Sequence, residues 1–150
     1  MRTRRSRIGL LIAAGISLAV LQATPSYAET IQQGPWSISS LLGSNTYDTP
    51  KYTSTTGNVY TCVKASALNA NASGWSFSII WYNGGRATVV WSSRGFTDLG
   101  THCSPTGEAT ESGNPEYFDA ITLWGGDGVN EASGSGLWDL YLDCPDSGCP

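Results

Sequence analysis

The only histidine in the chain, His102, is the starting point of a search for catalytic chemistry. Asp98 lies four residues before it and Ser104 two residues after it, so the three side chains would share one face of a strand. A serine nucleophile needs a neighbouring base, and the base needs an acid that orients it. The sequence lacks the Gly-x-Ser-x-Gly turn that presents the nucleophile in many hydrolases. We therefore interpret these residues as a polar strand end beside a cysteine, and we predict no catalytic residue.

Carboxylates offer two other kinds of chemistry. Glycoside hydrolysis needs two of them about 5 to 10 Å apart, whereas Asp139 and Asp143 fall on one strand face roughly 13 Å apart. Calcium needs about six to eight oxygen ligands, and a glycine-rich stretch offers some of them through Asp127, Asn130 and Glu131. Neither set is complete, so we predict no metal and no cofactor.

A further group of acids is clustered in the sequence. Its members are Glu108, Glu111, Glu116 and Asp119. The first two belong to Ser104–Pro115, where prolines and glycines predict a solvated loop. We interpret the whole group as an acidic surface.

Aromatic side chains are the strongest indication of function. Most tryptophans fall on apolar strand faces and are interpreted as core, namely Trp75, Trp81, Trp91 and Trp138. Trp124 ends a predicted strand at the mouth of a glycine-rich loop, and Tyr82 lies on the outer face of a hairpin. Turn-rich segments contribute Trp36, Tyr47 and Tyr52. Exposed aromatics on a rigid sheet suit sugar rings or protein partners, so these five are the candidate ligand-binding residues. The alternative is that a second layer of core buries them.

The elements that position these side chains are strands. From Trp75 to Tyr82, aromatic and aliphatic residues alternate with period two, which predicts a strand with one face in a core. A turn and a second apolar strand, ending at Trp91, complete a hairpin. We choose a three-residue loop, Asn83–Gly85, with Gly85 in the left-handed conformation, because this register gathers the apolar residues on one face. It sets Trp81, Ile79 and Phe77 beside Ala87, Val89 and Trp91.

Similar patterns predict the other elements. Strands are expected at Asn58–Ala65, Phe96–Cys103, Tyr117–Trp124 and Leu137–Cys144, with a short edge strand at 34–38. Leu41–Thr56 is expected to consist of turns, and Gly125–Gly136 to form a long loop. No segment shows a helical period with caps. We therefore predict an all-β fold, a small antiparallel sandwich or small barrel.

The first 28 residues are predicted to be a secretory signal peptide. Four arginines precede an apolar run from Ile8 to Val20, and Ser26-Tyr27-Ala28 forms a small-x-small cleavage site. Residues 29–150 would then form one secreted domain with four basic and twelve acidic residues, a formal charge of −8. Such a charge disfavours nucleic acid and anionic membranes as partners.

All four cysteines lie after the predicted cleavage site. An even number in a small exported domain indicates two disulfides, for which three pairings are possible. We favour Cys62–Cys103 and Cys144–Cys149, because the short segment between the last two can turn back on itself. Paired Cys-x-x-Cys spacing, as in zinc sites, is missing.

The stretch Ser73–Trp81 resembles a strand of bacterial cellulose-binding sandwich modules, although no functional residue is carried over from them. Our first hypothesis is therefore a secreted, non-enzymatic module that binds a polysaccharide or another cell-surface ligand. The alternative is a protein-directed inhibitor or toxin-like effector, acting through the loops at Ser104–Pro115 and Gly125–Gly136. A small secreted hydrolase is the third. The expected partners are a carbohydrate or an extracellular protein.

Overall fold

The computed structural model describes residues 30–105, 107, 113 and 115–145. Its strands are β1 (Thr30–Asp48), β2 (Tyr52–Thr53), β3 (Val59–Leu68), β4 (Ala72–Asn83), β5 (Arg86–Ser92), β6 (Gly100–Cys103) and β7 (Glu116–Leu142). The prediction of an all-β protein is confirmed. The described residues include no helix, and hence none that could span a membrane. The predicted signal peptide, Glu108 and Glu111 lie outside the described residues.

The two longest strands, β1 and β7, form one antiparallel ribbon. Thr30 pairs with Leu142 at one end, and Asp48 pairs with Ala120 at the other. The edge strand predicted at 34–38 is part of this much longer strand. The turns predicted for Leu41–Thr56 are wrong as far as Asp48, since β1 runs through them. The register shifts after Ser40, and irregularities of this kind bend and twist a strand pair.

Each half of β7 has a different second neighbour. β4 pairs with the first half, starting from Tyr82 opposite Glu116, and β5 continues the sheet beyond β4. β3 pairs with the second half, and β6 continues the sheet on that side; β6 begins at Gly100 rather than at the predicted Phe96. The result is an antiparallel sheet curled into a half-barrel, and this confirms the predicted fold class.

The core fills the space enclosed by the curled sheet. Trp75, Phe77 and Ile79 alternate along β4 and are fully buried, as their spacing predicts. Trp36, from the first half of β1, reaches Trp75 with ring centroids 6.1 Å apart. Fully burying a large apolar side chain stabilises a fold by about 1.5–3 kcal/mol, so this contact between the two halves holds the curl closed.

Gly125–Gly136 is not the long loop that its composition predicts. The segment lies within β7, and within it residues 125–126 and 128–131 lack a partner on β1. Its glycines permit close approach of other groups: a Cβ on Gly134 would lie 2.9 Å from the Leu68 side chain, and one on Gly136 would lie 2.7 Å from Trp36 Nε1. Glycine inside a strand marks such close contacts, which composition alone does not distinguish from a loop.

The turn of the central hairpin is shorter than predicted. Asn83 pairs with Arg86, so the loop contains only Gly84 and Gly85. Both glycines have positive φ, 57° and 90°, as a two-residue type I′ turn requires. The three-residue loop expected from the sequence is therefore wrong.

The register of the hairpin changes with its turn. Trp81 pairs with Thr88, not with the predicted Ala87. A register shift follows along β4, and beyond it Ile79 pairs with Trp91. The β-bulge thus brings Trp91 to the core face despite the shorter turn, and the apolar pattern alone could not reveal this combination.

A disulfide joins neighbouring strands in the second half of the sheet. Cys62 on β3 lies directly opposite Cys103 on β6, and their bond confirms the first predicted pairing. The sequence separation is 41 residues, for which the chain-entropy model gives a stabilisation of about 4 kcal/mol. Cys144 is buried, and its predicted partner Cys149 lies outside the described residues.

Asp143 connects the end of β7 to the segment after β2. Its Oδ1 accepts hydrogen bonds from Ser54 Oγ at 2.9 Å, from the backbone N–H of Thr55 at 2.6 Å and from that of Thr56 at 3.0 Å. Desolvation alone would raise the pKa of this carboxyl, but the hydrogen bonds from Thr56, Ser54 and Thr55 outweigh it, so the pKa is lowered. The φ of Asp143 is 59°, a left-handed conformation that Asp and Asn adopt more readily than most residues.

We expect Asp143→Ala to lower the free energy of unfolding by about 2–3 kcal/mol, because the donors around Asp143 lose a charged acceptor. Asp143→Asn keeps an oxygen acceptor and the tolerance for positive φ, so it should cost less than half as much. Since the folded pKa lies below the ordinary value of 3.8, this stabilisation is present above that pH and is lost as pH falls through the folded pKa. Urea unfolding at about pH 7 and pH 3 measures both effects. Equal losses for the two variants would contradict this account.

Asp119 is fully buried, so the interpretation of its acidic group as surface is wrong for this residue. Its Oδ1 accepts a hydrogen bond from Thr61 Oγ1 at 2.9 Å, which links β7 to β3, while Oδ2 has no partner among the described residues. Burial raises the pKa of Asp119 from 3.8 to about 8, against the smaller lowering effect of the Thr61 hydrogen bond. Strand alternation places the carboxyl on the inner face, between Tyr117 and Ile121.

Candidate functional site

The residues considered for catalysis do not form a triad. His102 Nε2 contacts the Asp98 carboxylate, 3.0 Å from Oδ2, and its ring stacks on Phe96 with centroids 3.7 Å apart. Ser104 is buried, and its Oγ accepts the backbone N–H of Thr61 at 3.0 Å. His102 and Ser104 are thus engaged with different partners.

The acids considered for calcium stabilise the bulge of β7. Asp127 Oδ1 accepts the backbone N–H groups of Val129 at 2.9 Å and Asn130 at 2.6 Å, and Oδ2 accepts the Asn130 side chain at 2.9 Å. These hydrogen bonds lower the pKa of Asp127 to about 2, and the bond from the Asn130 backbone N–H has the largest effect. In the part of the chain that the structure describes, no three His, Cys, Asp or Glu residues are grouped so as to hold a metal ion.

The two candidate aromatics on β1 project towards the core. Trp36 is 2% exposed, and its Nε1 donates to the Lys64 carbonyl at 3.1 Å, so the expectation of a surface position is wrong. Tyr47 pairs with Ile121 and packs against the core while remaining partly exposed. Both are held in place by the long strand β1, which the turn-rich sequence did not indicate.

Trp124 and Tyr82 share the outer face of the sheet but lie at opposite ends of β4. Trp124 is opposite Gly74 and Tyr82 is eight residues further along, a separation of about 26 Å. The Trp124 ring is half-buried and packs over Gly74 and Gly95, where an added Cβ would lie 3.5 Å and 3.3 Å away. These two aromatics therefore cannot contact the same small ligand.

Tyr82 and Tyr52 lie at the end of the sheet that carries the hairpin turn, but on opposite faces, and the Tyr52 ring packs on the core, 6.1 Å from that of Trp138. Thr53 on β2 and Tyr82 on β4 both pair with Glu116 at the start of β7. Tyr52 and Trp81 occupy the next position along and project to the other face. The hairpin end thus brings aromatic, hydroxyl and carboxylate groups into adjacent positions.

A lysine fixes the outer side of this end. Lys51 Nζ lies 3.2 Å from the centroid of the Tyr82 ring and 5.9 Å from that of Phe118. A cation over an aromatic face contributes about 0.5–1 kcal/mol at an exposed site. The contact orients the Tyr82 ring and occupies one of its faces.

Two cavities open at the hairpin end. The first, which we call the end cavity, has a volume of about 350 Å³ and is lined by Thr53, Trp81, Tyr82, Asn83, Gly84, Gly113, Pro115 and Glu116. The second, which we call the arginine cavity, has a volume of about 420 Å³ and is lined by Trp81, Asn83, Arg86 and Thr88. Trp81 and Asn83 line both, so the two cavities are neighbours.

The sequence did not identify three of the residues that make this site. Trp81 was assigned to the core, yet it is only half-buried, and its buried Nε1 has no hydrogen-bond partner among the described residues. Asn83 and Arg86 become neighbours only through the two-residue turn. The Gly84-Gly85 pair was the available signal, because such a pair favours the turn that places its flanking residues opposite each other.

No known family model matches the chain, and no curated protein is similar to it. Among solved structures, the chain is similar to a chain of the infectious bursal disease virus Gx strain, with 14% identity and a TM-score of 0.40 over 91% of this chain and 38% of that one. A chain of the Gt strain gives 15% identity and a TM-score of 0.38 over 88% and 38%. The protein thus spans 38% of the length of either viral chain, and likeness at this level carries no functional argument.

Proposed function

We propose that the protein is a secreted, non-enzymatic module that binds a polysaccharide at the hairpin end of its sheet. The end cavity supports this proposal, because Trp81 and Tyr82 stand there beside the Asn83 amide and the Glu116 carboxylate. The apolar face of a sugar ring packs on aromatic rings, while its hydroxyl groups need hydrogen-bond donors and acceptors at the rim. The end cavity supplies both kinds of contact.

The size and rigidity of the cavity suit one unit of a longer chain. Its volume, about 350 Å³, lies at the lower end of the range for small-ligand pockets, roughly 300–1,000 Å³. Five of its eight lining residues lie on paired strands, and the tight Gly84-Gly85 turn fixes the hairpin. A site on rigid elements loses less conformational entropy when it binds.

The disulfide agrees with an extracellular place of action. Cys62–Cys103 joins two strands within the described fold. Bonds of this type persist in oxidising compartments and are rare in reducing ones. Together with the predicted signal peptide, this favours a protein that meets its ligand outside the cell.

The test is retention on polymers. We expect the wild-type protein to sediment with at least one of insoluble cellulose, chitin and peptidoglycan, or to show altered tryptophan fluorescence with a soluble neutral or acidic glycan. Tyr82→Ala should weaken that binding by about tenfold, because an aromatic contact of this kind is worth about 0.5–1.5 kcal/mol beyond its buried area.

The control is Tyr141→Ala, which removes another partly buried tyrosine outside both cavities. It should bind like the wild type, and thermal unfolding should show that both variants are folded. Trp124→Ala tests the other end of the outer face. A wild-type protein that binds none of these polymers and glycans would refute the proposal.

A protein-directed inhibitor is the second candidate, and one observation favours it. The predicted loop Ser104–Pro115 is anchored at both ends. At its start are the Cys62–Cys103 disulfide and the hydrogen bond that Ser104 Oγ accepts from Thr61 N–H. At its end, the Ser54 N–H donates to the Pro115 carbonyl at 2.9 Å. A held loop loses less entropy when a protease binds it. Assays of secreted proteases in the presence of the protein distinguish this candidate from a polysaccharide module.

A further inference from the structure

The arginine cavity differs in chemistry from the rest of the molecule. Its four lining residues contribute a guanidinium group from Arg86, an amide from Asn83, a hydroxyl from Thr88 and the Trp81 ring. No carboxylate is among them, although acidic residues outnumber basic ones by twelve to eight in the whole chain. The cavity is therefore a local site of positive charge and hydrogen-bond donors.

The Arg86 guanidinium is available for a ligand. Within the described ranges, 30–105, 107, 113 and 115–145, the only ion pair is that between His102 and Asp98, and the Arg86 side chain makes no hydrogen bond. A guanidinium presents a rigid fork of donors that matches a carboxylate in a two-bond contact. Lys51, the other cation at this end, lies over the Tyr82 ring instead.

The two cavities share a wall, and this determines how a ligand would span them. Trp81 and Asn83 line both, with Glu116 in the end cavity and Arg86 in the arginine cavity. A sugar ring in the end cavity would offer hydroxyl groups to Glu116, while an anionic substituent would meet Arg86. A neutral polysaccharide would leave the guanidinium unused.

We infer that the ligand is an acidic polysaccharide whose uronate carboxylate binds Arg86 in the arginine cavity. This inference rests on the proposed function. The formal net charge of −4 disfavours densely charged polyanions, but at physiological ionic strength that repulsion is screened beyond about 8 Å. A polymer with no more than one carboxylate per sugar ring satisfies the cation and brings fewer charges close to the protein than a more densely charged polyanion.

The experiment compares matched polymers. The full mature protein is titrated with oligosaccharides of polygalacturonate, alginate and hyaluronan, and with the same oligosaccharides after reduction of each carboxylate to a primary alcohol. We expect at least one acidic form to bind, with its reduced counterpart about tenfold or more weaker, because a charge-assisted two-bond contact is lost. Binding of the acidic form should also weaken as salt increases.

Two variants locate the effect. Arg86→Gln should weaken binding of the acidic form by about tenfold and leave that of the reduced form unchanged. Arg94→Gln is the matched control, since Arg94 is exposed and lines neither cavity, and it should bind both forms like the wild type. Thermal unfolding confirms that each variant is folded.

The possible outcomes separate the inference from the proposed function. Equal binding of acidic and reduced oligosaccharides, with Arg86→Gln unchanged, would overturn the inference and leave a polysaccharide module. Retention on cellulose or chitin, with no binding of any acidic oligosaccharide, would also overturn the inference and leave a polysaccharide module. If no polymer of either kind binds, both the inference and the proposed function fall.

Discussion

Replacing Gly136 with alanine should remove at least about 3 kcal/mol from the free energy of unfolding, a large part of the roughly 5–15 kcal/mol that stabilises a typical domain. A Cβ at this position would overlap the backbone carbonyl oxygen of Lys64 on β3 and lie 2.7 Å from Trp36 Nε1. Backbone cannot move aside as the end of a side chain can. The variant must therefore separate β3 from β7 at the point where they are paired.

The loss has a second component. Trp36 Nε1 donates to the Lys64 carbonyl at 3.1 Å, in the space next to Gly136. Displacing either group leaves a buried donor unsatisfied, which costs about 1–3 kcal/mol. Because Trp36 also packs on Trp75, we expect the damage to reach the contact between the two halves of the sheet.

Urea unfolding of wild type and Gly136→Ala measures the loss. The matched control is Gly100→Ala, also within a strand, where the added Cβ would lie 3.2 Å from Oδ2 at the end of the exposed Asp98 side chain and 3.9 Å from His102. That variant should lose little stability. Similar losses in the two variants would show that a general effect of alanine, and not the overlap with Lys64, is responsible.

Asp119→Asn should change the pH dependence of stability more than any other single substitution of an acid in the described chain. Asp119 is fully buried, and its pKa is raised from 3.8 to about 8. The folded state therefore binds more protons than the unfolded state between these values, and the stability of the wild type should fall as pH rises through that window. The slope approaches about 1.4 kcal/mol per pH unit for one group.

Asparagine keeps the oxygen that accepts the Thr61 hydrogen bond but does not ionise. Relative to wild type, Asp119→Asn should thus be least favourable near pH 4, become steadily more favourable up to about pH 8, and change little above it. Urea unfolding at several pH values measures the difference. Asp139→Asn, on the same strand but partly exposed, is the control. Parallel stability curves for wild type and Asp119→Asn would contradict a buried neutral carboxyl.

Residue alternation allowed part of the fold to be predicted from the sequence. The β3 residues Val59 and Val63 are buried as their spacing indicates, and the cysteine count and spacing led to the Cys62–Cys103 pairing. Alternation works where one face of a strand lies in a core, because burial then sorts residues by polarity.

The long ribbon could not be predicted in this way. β1 passes through Gly43 and Asn45, and β7 through Gly134 and Gly136, residues whose local preferences favour turns. Pairing between distant segments overrides those preferences when close approach requires a residue without a side chain. The candidate binding site could not be predicted from residue alternation either. The position of Arg86 depends on the length of the hairpin turn, which the apolar pattern predicted wrongly.

The pairing of Thr30 with Leu142 also constrains when the protein can fold. Among the described strands, β1 is synthesised first and its hydrogen-bonding partner β7 last. Local contacts that could form during synthesis are few, and closing such long loops is slow. The ribbon of β1 and β7 therefore cannot close until β7 has been made. A chain of this kind suits an export route that accepts unfolded polypeptides.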